Sequence, residues 1–362
     1  MFFDLLPYVA LLFMTVVIPK LFEKKTYMYL LFLIFFVFCG FRYGIGWDYF
    51  NYCETLELGG WRIEKSEFLI RQLEYICEKF GFVQFFFVAT SFFTILFFFL
   101  MISKESVNPG VSVFVYLTMA MFFFHSMTTI RFSLAVAIGF YACYFGYKKQ
   151  YLPYFAFLFL SLLTHKAAVF GVLTIPFVLT RMKFGFATNM TIFLVSFVLG
   201  TIIGSFSIIS GLFNNLINFN EFLYELLSDA ESYMVEENTT GFSRTPYIFA
   251  TINLINLLSC RQFATTDDSG RFEHYATMFN IGCSLTFLFS FQGTFASRLS
   301  QFFMCFILLI VPFYKKNSVQ QILLYSIFLF GFFYQLTIKT NHPDFIGRIN
   351  CWLPYRMNLT FY

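Results

Sequence analysis

The sequence predicts an all-α, polytopic membrane protein that forms a single integral membrane domain over residues 1–362. Hydrophobic residues make up 59% of the chain and charged residues only 12%, whereas a soluble domain carries about 25% charged residues. The mean hydropathy is +0.71. Long apolar runs alternate with short basic loops along the whole chain. Such a chain has too little polar surface to cover a water-soluble fold.

The apolar runs define the predicted transmembrane helices. A span needs about 20 apolar residues, and about twelve runs approach that length. The runs 151–165, 166–182 and 245–260 are short, and we expect either that they extend through snorkelling ends or that the pair 151–165 and 166–182 is partly re-entrant. The first run lacks a basic leader and a cleavage site, so we expect a span there rather than a signal peptide. The predicted spans are residues 4–20, 26–42, 82–102, 111–128, 130–147, 151–165, 166–182, 189–213, 245–260, 272–291, 298–314 and 319–338.

Lysine and arginine in the short loops predict the orientation of the chain. One set of alternate loops is basic, which indicates the cytoplasmic side. Both termini and the segments 43–81, 214–244 and 339–362 then face outward. Within the first two segments, residues 67–80 and 221–234 have apolar side chains at helical spacing and charges on other faces, which predicts amphipathic helices at the outer face. The basic loops are residues 20–25, 103–110, 148–150, 181–188, 261–271 and 315–318.

The charge and cysteine patterns exclude several classes of function. The net charge of +4 reflects the orientation of the chain in the membrane. The sequence contains no basic run with interleaved aromatic residues of the kind that would indicate nucleic-acid binding. The eight cysteines and four histidines show no spacing typical of metal ligands. The sequence therefore predicts no metal, no cofactor and no nucleic-acid partner.

The first candidate site segment, residues 41–52, follows the second predicted span directly. Gly44 and Gly46 permit a tight turn or a close approach of the backbone to a ligand. Arg42 presents a planar donor group that suits phosphate, and Asp48 adds a carboxylate. An alternative is an interfacial aromatic belt with a snorkelling Arg42. The aromatic side chains here are of the type that stacks on sugars: Trp47, Tyr49 and Tyr52.

Arg131 and Arg298 each begin a predicted span on the outer side. Placing an ionisable side chain at membrane depth costs at least ~2.5 kcal/mol, so such a residue usually has a function. An arginine in the first turn of a helix opposes the helix dipole, and we expect an acidic partner or an anionic ligand to hold it there. The repeated placement favours one shared anion. A structural pair of Arg131 with Asp48 or another carboxylate is the alternative.

His165 lies between two apolar runs on the predicted outer side. A neutral imidazole there can accept a proton from a sugar hydroxyl, because its ordinary pKa is near neutral. His165 and Asp48 are therefore the candidate catalytic bases, and His125 is a rival. A lone histidine also often serves only the structure.

These stretches, in this order, resemble the EpsG-like branch of bacterial polysaccharide polymerases, the Wzy-type polymerases of O-antigen and capsule repeat units. The resemblance extends from Arg42 to Tyr355. Its motifs are an arginine followed by Gly-x-Asp-Tyr, an Ile-Arg-x-Ser-Leu-Ala element, a histidine before small residues, and a late Arg-Leu-x-x-Phe element. The residues that carry these motifs are Arg42, Gly46, Asp48, Tyr49, Tyr52, Ile130 to Ala135, His165 and Arg298 to Phe302.

The resemblance implies a GT-C-like or related polymerase fold in the bacterial inner membrane. It implies an enzyme acting at the periplasmic face on oligosaccharides linked to undecaprenyl pyrophosphate, with membrane lipid and a chain-length regulator protein as partners. Arg42, Arg131 and Arg298 would then hold the leaving pyrophosphate, Tyr49 and Tyr52 would contact the sugar, and His165 or Asp48 would accept the proton. Rival interpretations are a flippase for the same lipid-linked sugar, a membrane-bound O-acyltransferase and a non-enzymatic assembly partner.

Overall fold

The computed structural model describes residues 2–205, 245–263, 269–290, 293–316, 318–338, 348 and 350–358. These residues form α-helices with short 3₁₀ segments, and the only β-type pairing recorded among them is an isolated bridge between Arg42 and Met357. The chain divides into two compact units, Met1–Ala168 with Val311–Tyr362, and Val169–Ile310.

The first unit contains most of the helices. They are α1 (Phe2–Leu21), α2 (Lys24–Gly40), α3 (Tyr49–Leu58), α4 (Trp61–Glu64), α5 (Phe68–Phe80), α6 (Val83–Glu105), α7 (Pro109–Thr118), α8 (Phe123–Thr128), α9 (Ile130–Tyr147), α10 (Tyr151–Thr164) and the late helix α17 (Val319–Thr337). A 3₁₀ helix, Lys166–Thr174, follows α10, and another, Val311–Phe313, precedes α17.

Helix α9 is the packing centre of the first unit. It lies against α6 and α10 and is buried along almost its whole length. Small residues on α9, among them Ala135, Ala137 and Gly139, allow neighbouring backbones to approach closely. The Ser161 hydroxyl of α10 donates to the carbonyl of Ala135 at 2.6 Å. These contacts hold the start of α9, where Arg131 lies, in a fixed position.

Local sequence signals explain several helix ends. The Asn108 side chain accepts from the Val111 N–H, with Pro109 in the first turn of α7. Helix α5 ends at Gly81, which has φ +67° in the left-handed region that glycine adopts without strain. Ser318 caps α17 by accepting from the Gln321 N–H at 3.2 Å.

The second unit packs around helix α14 (Ser269–Leu288). This helix contacts α12 (Phe186–Ser205), α13 (Thr245–Phe263), α15 (Gly293–Met304) and α16 (Ile307–Ile310). The unit also contains α11 (Ile175–Thr180).

Three buried asparagines join the helices of the second unit. The Asn280 amide donates to Oδ1 of Asn189 at 3.0 Å, and Oδ1 of Asn280 accepts from Asn253 at 2.7 Å. Interhelical amide hydrogen bonds of this kind hold helices together where the surroundings are apolar.

Five helical segments of the described chain are long and apolar enough to cross a membrane: Phe3–Leu21, Val83–Glu105, Ile130–Tyr147, Phe295–Phe313 and Val319–Thr337. Shorter apolar helices accompany them, and together they indicate a membrane protein. The predicted number of spans, about twelve, stays a prediction. The predicted span 111–128 is interrupted, since α7 ends at Thr118 and α8 begins at Phe123. The predicted span 166–182 is a 3₁₀ helix followed by the short α11.

Helix α5 matches the amphipathic helix expected within residues 67–80. Ile70, Glu74 and Cys77 form its buried face, and Ile76 and Phe80 on the predicted apolar face are exposed. An exposed apolar row outside the spans suits contact with a membrane surface. The second expected helix, residues 221–234, lies outside the described residues, as does the whole segment 214–244.

Candidate functional site

Arg131 and Glu67 form an ion pair at the start of α9. Nη1 of Arg131 lies 3.0 Å from Oε2 of Glu67, with the two side chains 32% and 15% exposed. Because an arginine in a first helical turn opposes the helix dipole, the carboxylate offsets an unfavourable placement. The sequence analysis offered a structural pair of Arg131 with Asp48 or another carboxylate, and the carboxylate that the structure shows is that of Glu67.

Tyr52 and Ser66 complete the surroundings of the guanidinium. Nε of Arg131 donates to the Tyr52 hydroxyl at 3.1 Å, and Nη1 reaches the Ser66 hydroxyl at 3.5 Å. Burial raises the pKa of Tyr52 to about 12, although the positive charge of Arg131 opposes the shift. The tyrosine therefore stays protonated at neutral pH and can donate its hydroxyl hydrogen to an acceptor.

His165 approaches the same carboxylate from the end of α10. Its Nδ1 lies 3.8 Å from Oε1 of Glu67 and accepts a hydrogen bond from the Ala167 N–H at 3.0 Å. The Lys166 N–H donates to Oε1 of Glu67 at 3.2 Å. Glu67 therefore connects the start of α9 to the residues that follow α10.

Glu74 is a second carboxylate of this group, and it is almost fully buried at 1% exposure. Its Oε2 has no hydrogen-bond partner among the described residues. Burial raises its pKa, while the Ser66 hydroxyl and Arg131 oppose that shift. We call these six residues, all in the first unit, the Arg131 cluster: Tyr52, Ser66, Glu67, Glu74, Arg131 and His165.

Arg42 does not have the exposed position expected of a phosphate ligand. Its side chain is fully buried, and Nε donates to the Ile45 carbonyl at 3.2 Å. Nη1 donates to the Cys39 carbonyl and to the Ser91 hydroxyl, and Nη2 reaches the Met127 carbonyl at 3.5 Å. The guanidinium satisfies backbone groups where α2 ends, which favours a structural role for Arg42 over the predicted phosphate contact.

Tyr49 and Asp48 are adjacent in sequence but differ in how far their side chains are buried. The Tyr49 ring is 2% exposed and stacks on Phe87 with centroids 4.4 Å apart, so it belongs to the core rather than to a sugar-facing surface. Asp48 precedes α3 and is half-buried, and its charge acts on Tyr52. Asp48 therefore borders the Arg131 cluster. His125, the rival base, lies on α8.

Arg298 lies in the middle of α15 in the second unit and is half-buried, so the prediction that it begins a helix as Arg131 does is wrong. Arg131 lies in the first unit, and the grouping of Arg298 with it stays a prediction. Among the residues that the structure describes, no group of three or more His, Cys, Asp or Glu side chains is arranged to hold a metal ion.

The described part of the C-terminal segment packs on residues 41–46. The Gly46 N–H donates to the Cys351 carbonyl and the Tyr43 N–H to the Arg356 carbonyl. Gly46 has φ +101°, and a Cβ there would collide with the Met127 carbonyl oxygen, so only glycine fits. The glycine pair thus serves backbone packing.

Sequence reasoning missed Glu67 and Glu74 as site residues. A signal was present, because Glu67, Ile70, Glu74 and Cys77 recur at intervals of three and four and so share one helical face. A carboxylate in the middle of that row is costly to bury without a purpose. A more obvious apolar row lies on the same helix, and the sequence analysis interpreted that row alone.

One comparison with known proteins found a match. The model of the EpsG family matches residues 25–357. No curated protein and no solved structure matches the chain.

Proposed function

Because the chain belongs to the EpsG family, we propose that it is a polysaccharide polymerase that joins repeat units by glycosyl transfer. Its substrates are oligosaccharides carried on undecaprenyl pyrophosphate at the outer face of the bacterial inner membrane. The Arg131 cluster and Arg298 bind these substrates, and no cofactor takes part.

The observation that supports this proposal best is the setting of Arg131. Its side chain is 32% exposed, and its guanidinium is already bound to a carboxylate, a hydroxyl and a phenol. An anion that takes the place of Glu67 would meet the same donors, and a guanidinium binds phosphate through paired hydrogen bonds. Arg42 has no such exposed face, so we assign it a structural role.

The reaction follows from the chemistry of a lipid pyrophosphate donor. A terminal sugar hydroxyl of one lipid-linked repeat attacks the anomeric carbon of the growing chain. The bond from that carbon to the pyrophosphate oxygen breaks, and its electron pair leaves with the lipid pyrophosphate. Arg131 stabilises the developing charge through charge-assisted hydrogen bonds worth about 1.5–3 kcal/mol each. Preorganised donors of this kind lower the barrier because the charge grows in the transition state.

Arg298 is proposed as a further substrate-binding residue, because it begins the Arg-Leu-x-x-Phe element by which the chain resembles EpsG-like polymerases. His165 and Asp48 are the candidates that the sequence offers for accepting the hydroxyl proton. Tyr52 supports the proposal through its contact with Arg131, while the buried ring of Tyr49 favours a role in holding α3 in place.

Replacement of Arg131 tests the proposal. Arg131→Ala, expressed in a strain that lacks the chromosomal copy, should leave surface glycan of one repeat unit instead of long chains. Arg131→Lys keeps the charge but loses the planar donor pair, so we expect intermediate chain lengths. Gel profiles of surface glycan at matched membrane levels of protein provide the measurement.

Lys79→Ala is the matched control, since it removes one positive charge from an exposed position of the same unit. It should give chains of normal length. Long chains in the Arg131→Ala strain would contradict the proposal. Complete loss of surface glycan in the deletion strain would instead indicate a flippase, because export then fails before polymerisation.

A further inference from the structure

Glu67 belongs to the Arg131 cluster, but the proposed reaction gives its carboxylate no chemical role. We propose that Glu67 is the catalytic base of the glycosyl transfer, and that binding of the substrate pyrophosphate to Arg131 releases its carboxylate for that task. This inference rests on the proposed function and names a further catalytic residue for the same reaction.

The geometry identifies which carboxylate oxygen changes its partner. Oε1 of Glu67 accepts the Lys166 N–H at 3.2 Å, which anchors the carboxylate to the backbone. Oε2 faces Arg131 at 3.0 Å. A pyrophosphate that binds the guanidinium competes for that second contact alone. The carboxylate then stays in place on Oε1, with Oε2 free to accept a proton.

The electrostatic consequence favours proton transfer at that moment. A neighbouring cation stabilises the charged carboxylate, whereas a neighbouring anion destabilises it. When pyrophosphate neutralises the charge of Arg131, Glu67 no longer has a cation beside it and has an anion beside it instead. The affinity of its carboxylate for a proton therefore rises. The base therefore becomes effective only when the donor substrate is present.

The other candidates of the cluster are less suited to accept the proton. Nδ1 of His165 already accepts the Ala167 N–H at 3.0 Å, so the neutral imidazole carries its hydrogen on Nε2 and presents a donor there. Glu74 is 1% exposed, which keeps it from a substrate hydroxyl. Glu67 is 15% exposed, adjoins Arg131 and is fixed in orientation.

The proton balance is complete. The O–H bond of the acceptor sugar gives its proton to Oε2 of Glu67 as the new oxygen–carbon bond forms. The bond between the anomeric carbon and the pyrophosphate breaks, and the leaving group takes the electron pair. Glu67 becomes a neutral acid and then passes its proton to the released pyrophosphate or to water.

Glu67→Gln separates binding from catalysis. The amide cannot accept the proton, so polymerisation of native lipid-linked repeat units by purified protein in nanodiscs should slow by about a hundredfold or more. The same change removes the competitor for Arg131. Inorganic pyrophosphate, titrated calorimetrically, should therefore bind equally well or a few-fold more tightly. Glu64→Gln makes the same chemical change at an exposed position and should alter neither quantity.

The outcomes distinguish this inference from the proposed function. Wild-type turnover in Glu67→Gln would overturn the inference, and so would weaker pyrophosphate binding, which would mark Glu67 as a residue that positions Arg131. Unchanged pyrophosphate binding and unchanged turnover in Arg131→Ala would overturn the proposed function itself. If Glu67→Gln fails to fold, Glu67→Asp keeps the carboxylate. It should retain measurable turnover, and its inactivity with normal pyrophosphate binding and thermal stability would also contradict the inference.

Discussion

Arg42 and Arg131 show how the surroundings of an arginine decide its role. Arg42 is fully buried, and backbone carbonyls and a hydroxyl take its donors. Arg131 is partly exposed, and its main partner is the carboxylate of Glu67, which we propose that the substrate pyrophosphate replaces. A guanidinium bound to the backbone holds a turn together, whereas one bound to an exchangeable anion can serve a substrate.

Arg42→Met should destabilise the protein rather than weaken substrate binding. The change keeps most of the bulk but leaves the carbonyls of Cys39 and Ile45 without that donor. Each buried unsatisfied group costs about 1–3 kcal/mol, so we expect a loss of roughly 2–5 kcal/mol. Thermal unfolding in detergent measures it.

Lys79→Met, at an exposed position, is the control for loss of charge and should leave the unfolding temperature unchanged. An Arg42→Met protein of normal stability that no longer binds pyrophosphate would show that Arg42 does contact the substrate.

At the scale of single elements, helix α5 joins the packing of the first unit to the candidate site. Its buried face carries Ile70, Glu74 and Cys77, and Ile70 and Cys77 belong to the core cluster that also contains Tyr49 and Ile130. Glu67 lies immediately before this helix and takes its position from it. Core packing around α5 therefore fixes the distance between Glu67 and Arg131.

Glu74→Gln should stabilise the protein in a pH-dependent way. Burial raises the pKa of Glu74 above its ordinary value of 4.5. A carboxyl with a raised pKa in the folded state favours folding while it is protonated, and it opposes folding as the pH rises through the folded-state pKa. The amide has no proton to lose, so the variant should unfold at a higher temperature than the wild type at about pH 7.

The difference should vanish at about pH 4, where the wild-type carboxyl is protonated in both folded and unfolded states. Thermal unfolding followed over that pH range tests the prediction. A variant less stable than the wild type at neutral pH would indicate that Glu74 is ionised and held by an ion pair.

At the scale of the whole molecule, the first unit is completed by residues from the end of the chain. The Tyr8 hydroxyl donates to the Trp352 carbonyl at 2.9 Å, and the Tyr355 hydroxyl donates to the Phe38 carbonyl at 2.6 Å. The Tyr355 ring stacks on Phe38 with centroids 4.0 Å apart. These contacts hold the first two helices and the segment that contains Arg42 in one arrangement.

Trp352→Ala should therefore destabilise the first unit. The Trp352 side chain is 2% exposed and its ring lies 4.7 Å from that of Phe124. Truncating a buried tryptophan costs about 3–5 kcal/mol. Thermal unfolding and resistance to protease in detergent measure the effect, and Met357→Ala, whose side chain is 45% exposed, is the control. Equal stability of the two variants would exclude a supporting role for the segment.

Much of the helical framework was predictable, because hydropathy and helix-end signals act over short stretches of chain. The spans beginning at residues 82, 130 and 319 correspond closely to α6, α9 and α17. The break between α7 and α8 was not predictable from hydropathy, since the residues on either side of it are equally apolar. The helical spacing of residues 67–80 predicted α5 but not the face on which it packs.

The candidate site was predictable only in part. Arg131, His165 and Tyr52 do lie in one cluster, although their roles there remain proposals. The sequence offered Asp48 or another carboxylate as the partner of Arg131 but did not single out Glu67, which is 64 residues away in sequence. The enclosure of Arg42 likewise depends on Ser91 and Met127, which belong to other helices.

The sequence by itself determined that the chain is helical and suited to a membrane, since composition and hydrophobic spacing are properties of each stretch alone. It also singled out the arginine at the start of α9, because a cation opposes the dipole at that end of a helix. Only the tertiary structure decided which carboxylate meets that arginine and which arginine is enclosed by carbonyls. Such pairings depend on how distant helices pack, and no local pattern encodes the distance between two side chains on different helices.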